Sequence, residues 1–379
     1  MKTFDAIVLG IGGMGSSALH ALARRGLSVL GIEQFAIGHD RGSSHGEYRI
    51  IRRSYFEHPD YIPLVDASFE GWRALEAASG ERLFERTGLL VVGKRDHAVI
   101  EGIELAHSRY RFALERLAPA AAMARFAGFR VAPDQIALFE PDAGMLRVED
   151  CVITMCQQAL DAGATLETGQ TVRRWWRDDG HCIVETDRSC FRAARLVIAA
   201  GPWTGAILAD LKLPIRVERR MQTWFRTPES AYRAAGGAPV FCYALDHGFF
   251  YGFPAEPAGA MKIAEHSGND PVGSADELDR ARLPHDLPRV QGFIREYLPQ
   301  VQSDETVRHS ACMYSMTPDE HFIVDRHPTT PGVAFAAGFS GHGFKFAPAI
   351  GELLAKLVLD PAVPHPYEFL RRDRAPMMR

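Results

Sequence analysis

The chain has 379 residues, of which 24% are Asp, Glu, Lys or Arg, and a formal net charge of -4 at pH 7. This balance gives no general pull toward nucleic acid or an anionic membrane, and the length favours two domains over one core. No uninterrupted apolar run reaches the roughly 20 residues of a membrane span, and the six cysteines show neither the short pairs of a zinc site nor a disulfide framework.

Residues 4 to 9, FDAIVL, form a short apolar run suited to a buried parallel strand. GIGGMG follows and sets Gly10, Gly12 and Gly15 in the G-x-G-x-x-G spacing. SSALHALARRG then reads as a helix whose apolar face carries Ala18, Leu19, Leu22 and Ala23, with Gly26 as its stop. A second strand, LSVLGIE, ends in Glu33. The first glycine allows the tight turn, the second a close approach to a pyrophosphate, and the third close packing of helix on strand. Glu33 is placed to accept hydrogen bonds from an adenosine ribose and argues against a 2′-phosphate there. The order predicts a dinucleotide site but does not separate NAD from FAD. No second glycine fingerprint occurs, so one dinucleotide is expected.

His45, Arg49 and Arg52 follow at spacings of 4 and 3, which on a helix would share one face. Residues 86 to 145 leave the α/β pattern, with TGLLVVG as a strand and a helical stretch after it. Residues 146 to 215 return to it, reading as helix, strand and strand pair, and ARLVIAAGPWTGAIL is a strand running into a helix. Residues 216 to 312 hold alternating or aromatic strands, including GFFYGFP and AMKIAEH. VAFAAG is a buried strand, SGHG a turn, and the helix after it is expected to start at Pro348. The expected fold is α/β, and α+β overall: a Rossmann-like cofactor domain (1–85, 146–215 and 313–379) interleaved with a smaller antiparallel-sheet substrate domain (86–145 and 216–312).

Three stretches, GSSHGEYRIIRRSYFEHPDYIPL, ACMYSMTPDEHFIVD and AAGFSGHGFKF, resemble the monomeric sarcosine oxidase and N-methyltryptophan oxidase family, and the likeness runs in order along essentially the whole chain. The resemblance implies FAD, joined by a thioether to Cys312. It assigns Arg52 and Lys345 to the substrate carboxylate, and Arg49 and His45 to the flavin ring. It assigns Tyr251 and His266 to the pocket and Lys262 to oxygen reduction. The turn Gly341, His342, Gly343 and Phe344 would bring backbone donors to the flavin pyrimidine end. Glu47 and Tyr48 stand where Asp-Thr is common, and position 48 faces the active-site region in the family, so Tyr48 bears on pocket shape.

The implied activity is oxidation of a secondary or tertiary N-methyl amino acid, with the imine hydrolysed and O2 reduced to hydrogen peroxide. Cyclic imino-acid or fructosyl-amino-acid oxidation, a flavin dehydrogenase with another acceptor, and a non-catalytic dinucleotide sensor are the competing readings. Reduced cysteines and the absence of a cleavage signature lead to the expectation of a cytoplasmic protein, a monomer with no metal and no membrane or nucleic-acid partner. Burial alone favours a substrate with a side chain over sarcosine, with Tyr48, Tyr251, Trp224 and Phe225 in segments that would border it.

Overall fold

The computed structural model describes residues 2–227, 230–268 and 270–374. The strand Lys2–Leu9 is exposed where it begins and fully buried over its last four residues. Ala6 to Leu9 are flanked in parallel register by Val29–Ile32 on one side and by Arg195 to Ile198 on the other. Thr165–Glu167 extends the sheet beyond Val29–Ile32, and Val333–Ala337 joins the far end of Cys190–Ile198, again in parallel. The antiparallel strands Val172–Asp178, His181–Thr186 and Ile323–Arg326 complete an eight-stranded, Rossmann-like sheet.

The helix Gly13–Ala23 packs between the helices Val148–Asp161 and Ala347–Leu359. Gly351 explains itself here: a Cβ at that position would sit 2.2 Å from Ser17 Oγ, so the two helices can touch only through a glycine. Pro348 falls in the first turn of its helix, where its missing N–H costs nothing. That helix begins one residue earlier than expected, at Ala347, after the short turn Phe344–Phe346.

A second, nine-stranded sheet is antiparallel except where Val240–Leu245 runs parallel to Leu89–Lys94. Its longest strands, Arg216–Arg226 and Gln302–Met316, lie side by side, and the latter runs unbroken through 312/313, where the sequence suggested a domain boundary. A small antiparallel sheet of Tyr48–Ile51, Gly144–Arg147 and Phe84–Glu85 completes the architecture. The His45–Arg49–Arg52 spacing therefore does not lie on a helix. Tyr48 to Ile51, one aromatic, one charged and two β-branched residues, form a strand paired with Gly144–Arg147, and His45 and Arg52 flank it. Among the described residues no helix is long and apolar enough to cross a membrane, and no group of three or more His, Cys, Asp or Glu is arranged to hold a metal ion.

Candidate active site

A cavity of about 950 Å³ runs from the glycine loop to the second sheet, at the upper end of the range for small-molecule and cofactor sites. At one end lie Gly10, Gly12, Gly13 and Glu33; at the other, Arg49, Arg52, Tyr251, His266 and Lys345. The helix after the loop starts at Gly13, three residues earlier than the apolar pattern alone indicates, which turns its N-terminus toward the cavity. Gly15 does not line the cavity: a Cβ there would fall 1.7 Å from Gly10 O, so it serves helix–strand contact. A Cβ on Gly12 would meet only Ser44 Oγ, at 3.6 Å, which leaves its backbone open to a ligand. Glu33 is buried and accepts from the Ile11 and Phe35 amides at 2.8 and 3.0 Å, which fixes its carboxylate at the cavity wall.

The far end is cationic. Arg52 Nη2 donates to Glu57 Oε1 and Oε2 at 2.7 and 2.9 Å, and its guanidinium also lies over the Tyr55 and Phe56 rings. Burial opposes the Glu57 charge, but Arg52, His342 and Lys345 outweigh it and bring the carboxyl down to about 2. Lys345 Nζ donates to His342 O at 2.5 Å; burial, then the Arg52 charge, lowers its pKa to about 7, against a raising contribution from Glu57. Burial keeps His342 neutral, with a pKa of about 3; its Nδ1 meets Tyr55 Oη and its Nε2 lies 2.9 Å from Glu320 O. His266, lowered by burial to about 4, is also neutral, with Nδ1 3.1 Å from Tyr314 Oη.

A second group lies behind the wall and meets the cavity through Arg49. Lys262 is 2% exposed and donates to Gly46 O and Tyr48 O at 2.6 and 3.1 Å. Burial, then Arg49, pushes its pKa well below the ordinary lysine value. Arg49 donates to Tyr48 O and Ser43 O, each at 2.9 Å, and its Nη2 lies 3.6 Å from Cys312 Sγ. Burial works against the Arg49 charge, yet Cys312, Tyr251, Tyr314 and Glu149 hold its pKa above the usual value. Cys312 itself is 1% exposed. His45, also behind the wall, is pushed to about 3 by burial and then by Arg49, and its buried Nε2 makes no hydrogen bond.

Of the residues singled out in the sequence, Gly10, Gly12, Glu33, Arg49, Arg52, Tyr251, His266, Gly341, His342, Gly343, Phe344 and Lys345 line this one cavity. His45, Lys262 and Cys312 sit beneath it. The Tyr48 side chain packs on Phe253, with ring centroids 5.8 Å apart, and lies outside the lining. Trp224 and Phe225 do not border the cavity either: Trp224 lies against Lys262 and Arg308, and Phe225 belongs to the core of the second sheet. The aromatic wall is instead Phe56, Phe249, Tyr251 and Phe253. Strand alternation in GFFYGFP carried that signal, since 249, 251 and 253 share a face while Phe250 enters the core. Glu57 and Tyr314 were also missed; both lie within stretches already singled out, but nothing in the spacing marks them.

The lining fits FAD. A glycine loop open at Gly12, the Glu33 carboxylate at the cavity wall and a cationic far end next to a buried thiol suit the contacts that a flavin dinucleotide requires.

Residues 5–357 match the model of the family described as FAD dependent oxidoreductase (DAO). The chain is 36% identical over 370 residues to the monomeric sarcosine oxidase of Streptomyces avermitilis, covering 96% of each chain. It is 33% identical over 358 residues to the N-methyl-L-tryptophan oxidase of Salmonella typhimurium, covering 94% of this chain and 95% of the relative. Among solved structures, the open form of NikD, an unusual amino acid oxidase essential for nikkomycin biosynthesis, superposes with a TM-score of 0.87 at 25% identity over the full length of both chains. With a dinucleotide loop, a cavity that accommodates a flavin and relatives matched from end to end, the chain belongs to the FAD-dependent oxidoreductases of the DAO, monomeric sarcosine oxidase-like family, enzymes that act on CH–NH bonds.

Proposed function

We propose that the protein oxidises N-methyl amino acids with O2 as the electron acceptor. The observation that carries this reading is the placement of Arg52 and Lys345 beside the aromatic wall Phe249, Tyr251 and Phe253, in the same cavity as the glycine loop. Two cations suit one carboxylate, and the aromatic wall suits the apolar part of the substrate while excluding water.

When bound, FAD supplies the two-electron acceptor for the C–H bond next to the amine nitrogen. Arg52 and Lys345 hold the carboxylate and so fix where the amine sits. Neutral His266 and the Tyr251 and Tyr314 hydroxyls face the amine as hydrogen-bonding groups that carry no competing charge. Arg49 and Lys262 place positive charge where negative charge builds up as electrons arrive and pass to oxygen. In this reading Lys262 serves the oxygen step and Cys312 holds the flavin covalently. For an N-methyl substrate the balance is amine, O2 and water giving the demethylated amine, formaldehyde and hydrogen peroxide. In this reading residues 1–85, 146–215 and 313–379 are mainly the cofactor part of a cytoplasmic monomer and 86–145 and 216–312 mainly its substrate part, with the strand Gln302–Met316 shared between them and Arg52 and Lys345 reaching the substrate from the first.

The test is anaerobic bleaching of the flavin by a panel of N-methyl, cyclic and glycated amino acids, followed by admission of air with peroxide detection. Bleaching by N-methyl amino acids and recovery with stoichiometric peroxide are expected. Bleaching by cyclic or glycated substrates alone, or recovery only with an artificial acceptor, would reject the proposal.

A further inference from the structure

The loop that receives Lys262 is itself fastened by one carboxylate. Lys262 Nζ is held by Gly46 O and Tyr48 O. Glu149 Oε1 accepts from the Gly46 and Glu47 amides at 2.6 and 3.2 Å, and Oε2 accepts from the Glu47 amide at 3.0 Å. The next residue back, Val148, donates its own amide to Glu47 O at 2.8 Å. Glu149 stands in the first turn of the helix Val148–Asp161, where a carboxylate is favoured by the helix dipole. Glu47 has φ 69°, a left-handed backbone uncommon outside glycine. Its conformation turns two successive amides onto the same carboxylate while the carbonyls on either side of it reach the lysine.

The charges around Lys262 make this clamp more than mechanical. His45 and Arg49 face it from the loop and the strand of the first segment, Cys312 from the long strand Gln302–Met316, and Glu47 and Glu149 from the loop and the helix. The rings of Phe253 and Trp224 flank the ammonium at 4.9 and 5.5 Å. Arg49 repels the ammonium, while Glu47 and Glu149 attract it. Glu47 is paired with Arg308 at 2.5 Å, whereas Glu149 spends its oxygens on uncharged amides, and its charge acts on both Lys262 and Arg49.

We propose that Glu149 is the positioning residue for Lys262: through the Gly46–Tyr48 loop it sets where the amine sits, and its carboxylate favours the ammonium form there. The inference rests on the reading of Lys262 as the oxygen-step cation. Glu149 does not line the cavity and acts through the loop and across it.

The test uses FAD-loaded wild type, Glu149→Gln, Glu149→Asp and Lys262→Met. Two readouts are taken: the absorbance of the resting flavin through a pH titration, and stopped-flow rates of reduction by amine and reoxidation by O2. Lys262→Met identifies which flavin absorbance transition belongs to the lysine, by abolishing it. Glu149→Gln keeps an acceptor oxygen but no charge. It should move that transition down by about one pH unit, and so slow reoxidation about tenfold on the high-pH limb, one unit being tenfold in protonated fraction. Reduction by amine should change much less. Glu149→Asp keeps the charge and should stay near the wild-type pH. A transition at the wild-type pH in Glu149→Gln, an equal loss in both half-reactions, or an equal shift in the Asp variant would overturn the inference. The Asp comparison also tests it should the Gln variant fail to fold. If Lys262→Met reoxidises normally, the oxygen role of the lysine fails first, and that result is distinct from a failure of the clamp.

Discussion

Arg52 and Glu57 form an ion pair inside the cavity, with Arg52 Nη2 2.7 and 2.9 Å from the two oxygens of Glu57. Both side chains are nearly excluded from solvent, so each charge depends on the other. In the proposed reading a substrate carboxylate would compete with Glu57 for the Arg52 guanidinium, and Lys345 lies close enough to influence both.

Arg52→Ala should therefore act in two separable ways. It leaves Glu57 buried without its partner, at a cost of about 3–5 kcal/mol in stability, and Arg52→Ala/Glu57→Gln should recover most of that loss. Both variants should lose roughly 1.5–3 kcal/mol in affinity for a small carboxylate competitor, the range for charge-assisted hydrogen bonds. Urea unfolding of the FAD-loaded proteins measures the first effect and competitor titration the second. Restored stability with restored carboxylate affinity in the double variant would remove Arg52 from the substrate site.

With Lys345 as a carboxylate contact, as proposed, carboxylate binding should be pH-dependent. Burial, then Arg52, lowers its pKa to about 7, so in the free enzyme it is charged below that pH and neutral above it. A carboxylate prefers the charged form and raises the pKa in the complex. Affinity is then full below pH 7 and falls as pH rises through 7 toward the raised value. Propionate, which has no amine to titrate, isolates this effect. Its dissociation constant should rise above pH 7 in wild type and stay flat in Lys345→Met. A flat wild-type profile from pH 6 to 9 would rule out Lys345 as a carboxylate contact.

Cys312 Sγ lies 3.6 Å from Arg49 Nη2 and 3.8 Å from Ser43 O. Arg49, Ser43 and Met313 line the cavity while Cys312 does not, so the proposed thioether requires the thiol to turn out from directly beneath the lining. All six cysteines are free of disulfides. Acid-precipitated wild-type protein should remain yellow after washing, with a mass increase equal to FAD on the peptide containing Cys312. Cys312→Ala should release its flavin on precipitation. A colourless wild-type pellet from flavin-loaded enzyme counts against the thioether.

The parts of this molecule that were legible in the sequence are those in which one local rule operates. The strand, glycine loop, helix and acid from Phe4 to Glu33 each follow from short-range patterning, and the structure assembles them in that order. The segment from His45 to Arg52 was not legible in this way, because its charge spacing suits a helix. What decides its conformation is pairing with Gly144–Arg147, about a hundred residues away. Spacing also cannot show that Gly46 O and Tyr48 O turn toward Lys262, which lies more than 200 residues later. The Tyr48 ring illustrates the same point: the residue is in the expected stretch, but its strand directs the ring onto Phe253 and away from the cavity.

That placement bears on substrate size. Tyr48 takes up no room in the lining, and the cavity wall there consists of Phe56, Phe249, Tyr251 and Phe253. Burying a large apolar side chain against such a wall is worth roughly 1.5–3 kcal/mol, about 10- to 150-fold in affinity. Sarcosine has no side chain with which to gain this. Comparing kcat/KM for sarcosine, N-methylalanine and N-methyltryptophan tests the argument, and at least one of the two larger substrates should exceed sarcosine. Phe249→Ala should lower kcat/KM for N-methyltryptophan more than for sarcosine, since sarcosine has no side chain to pack on that ring. Sarcosine ahead of both others by tenfold or more, with Phe249→Ala affecting all three alike, would mean that the wall closes the site to side chains.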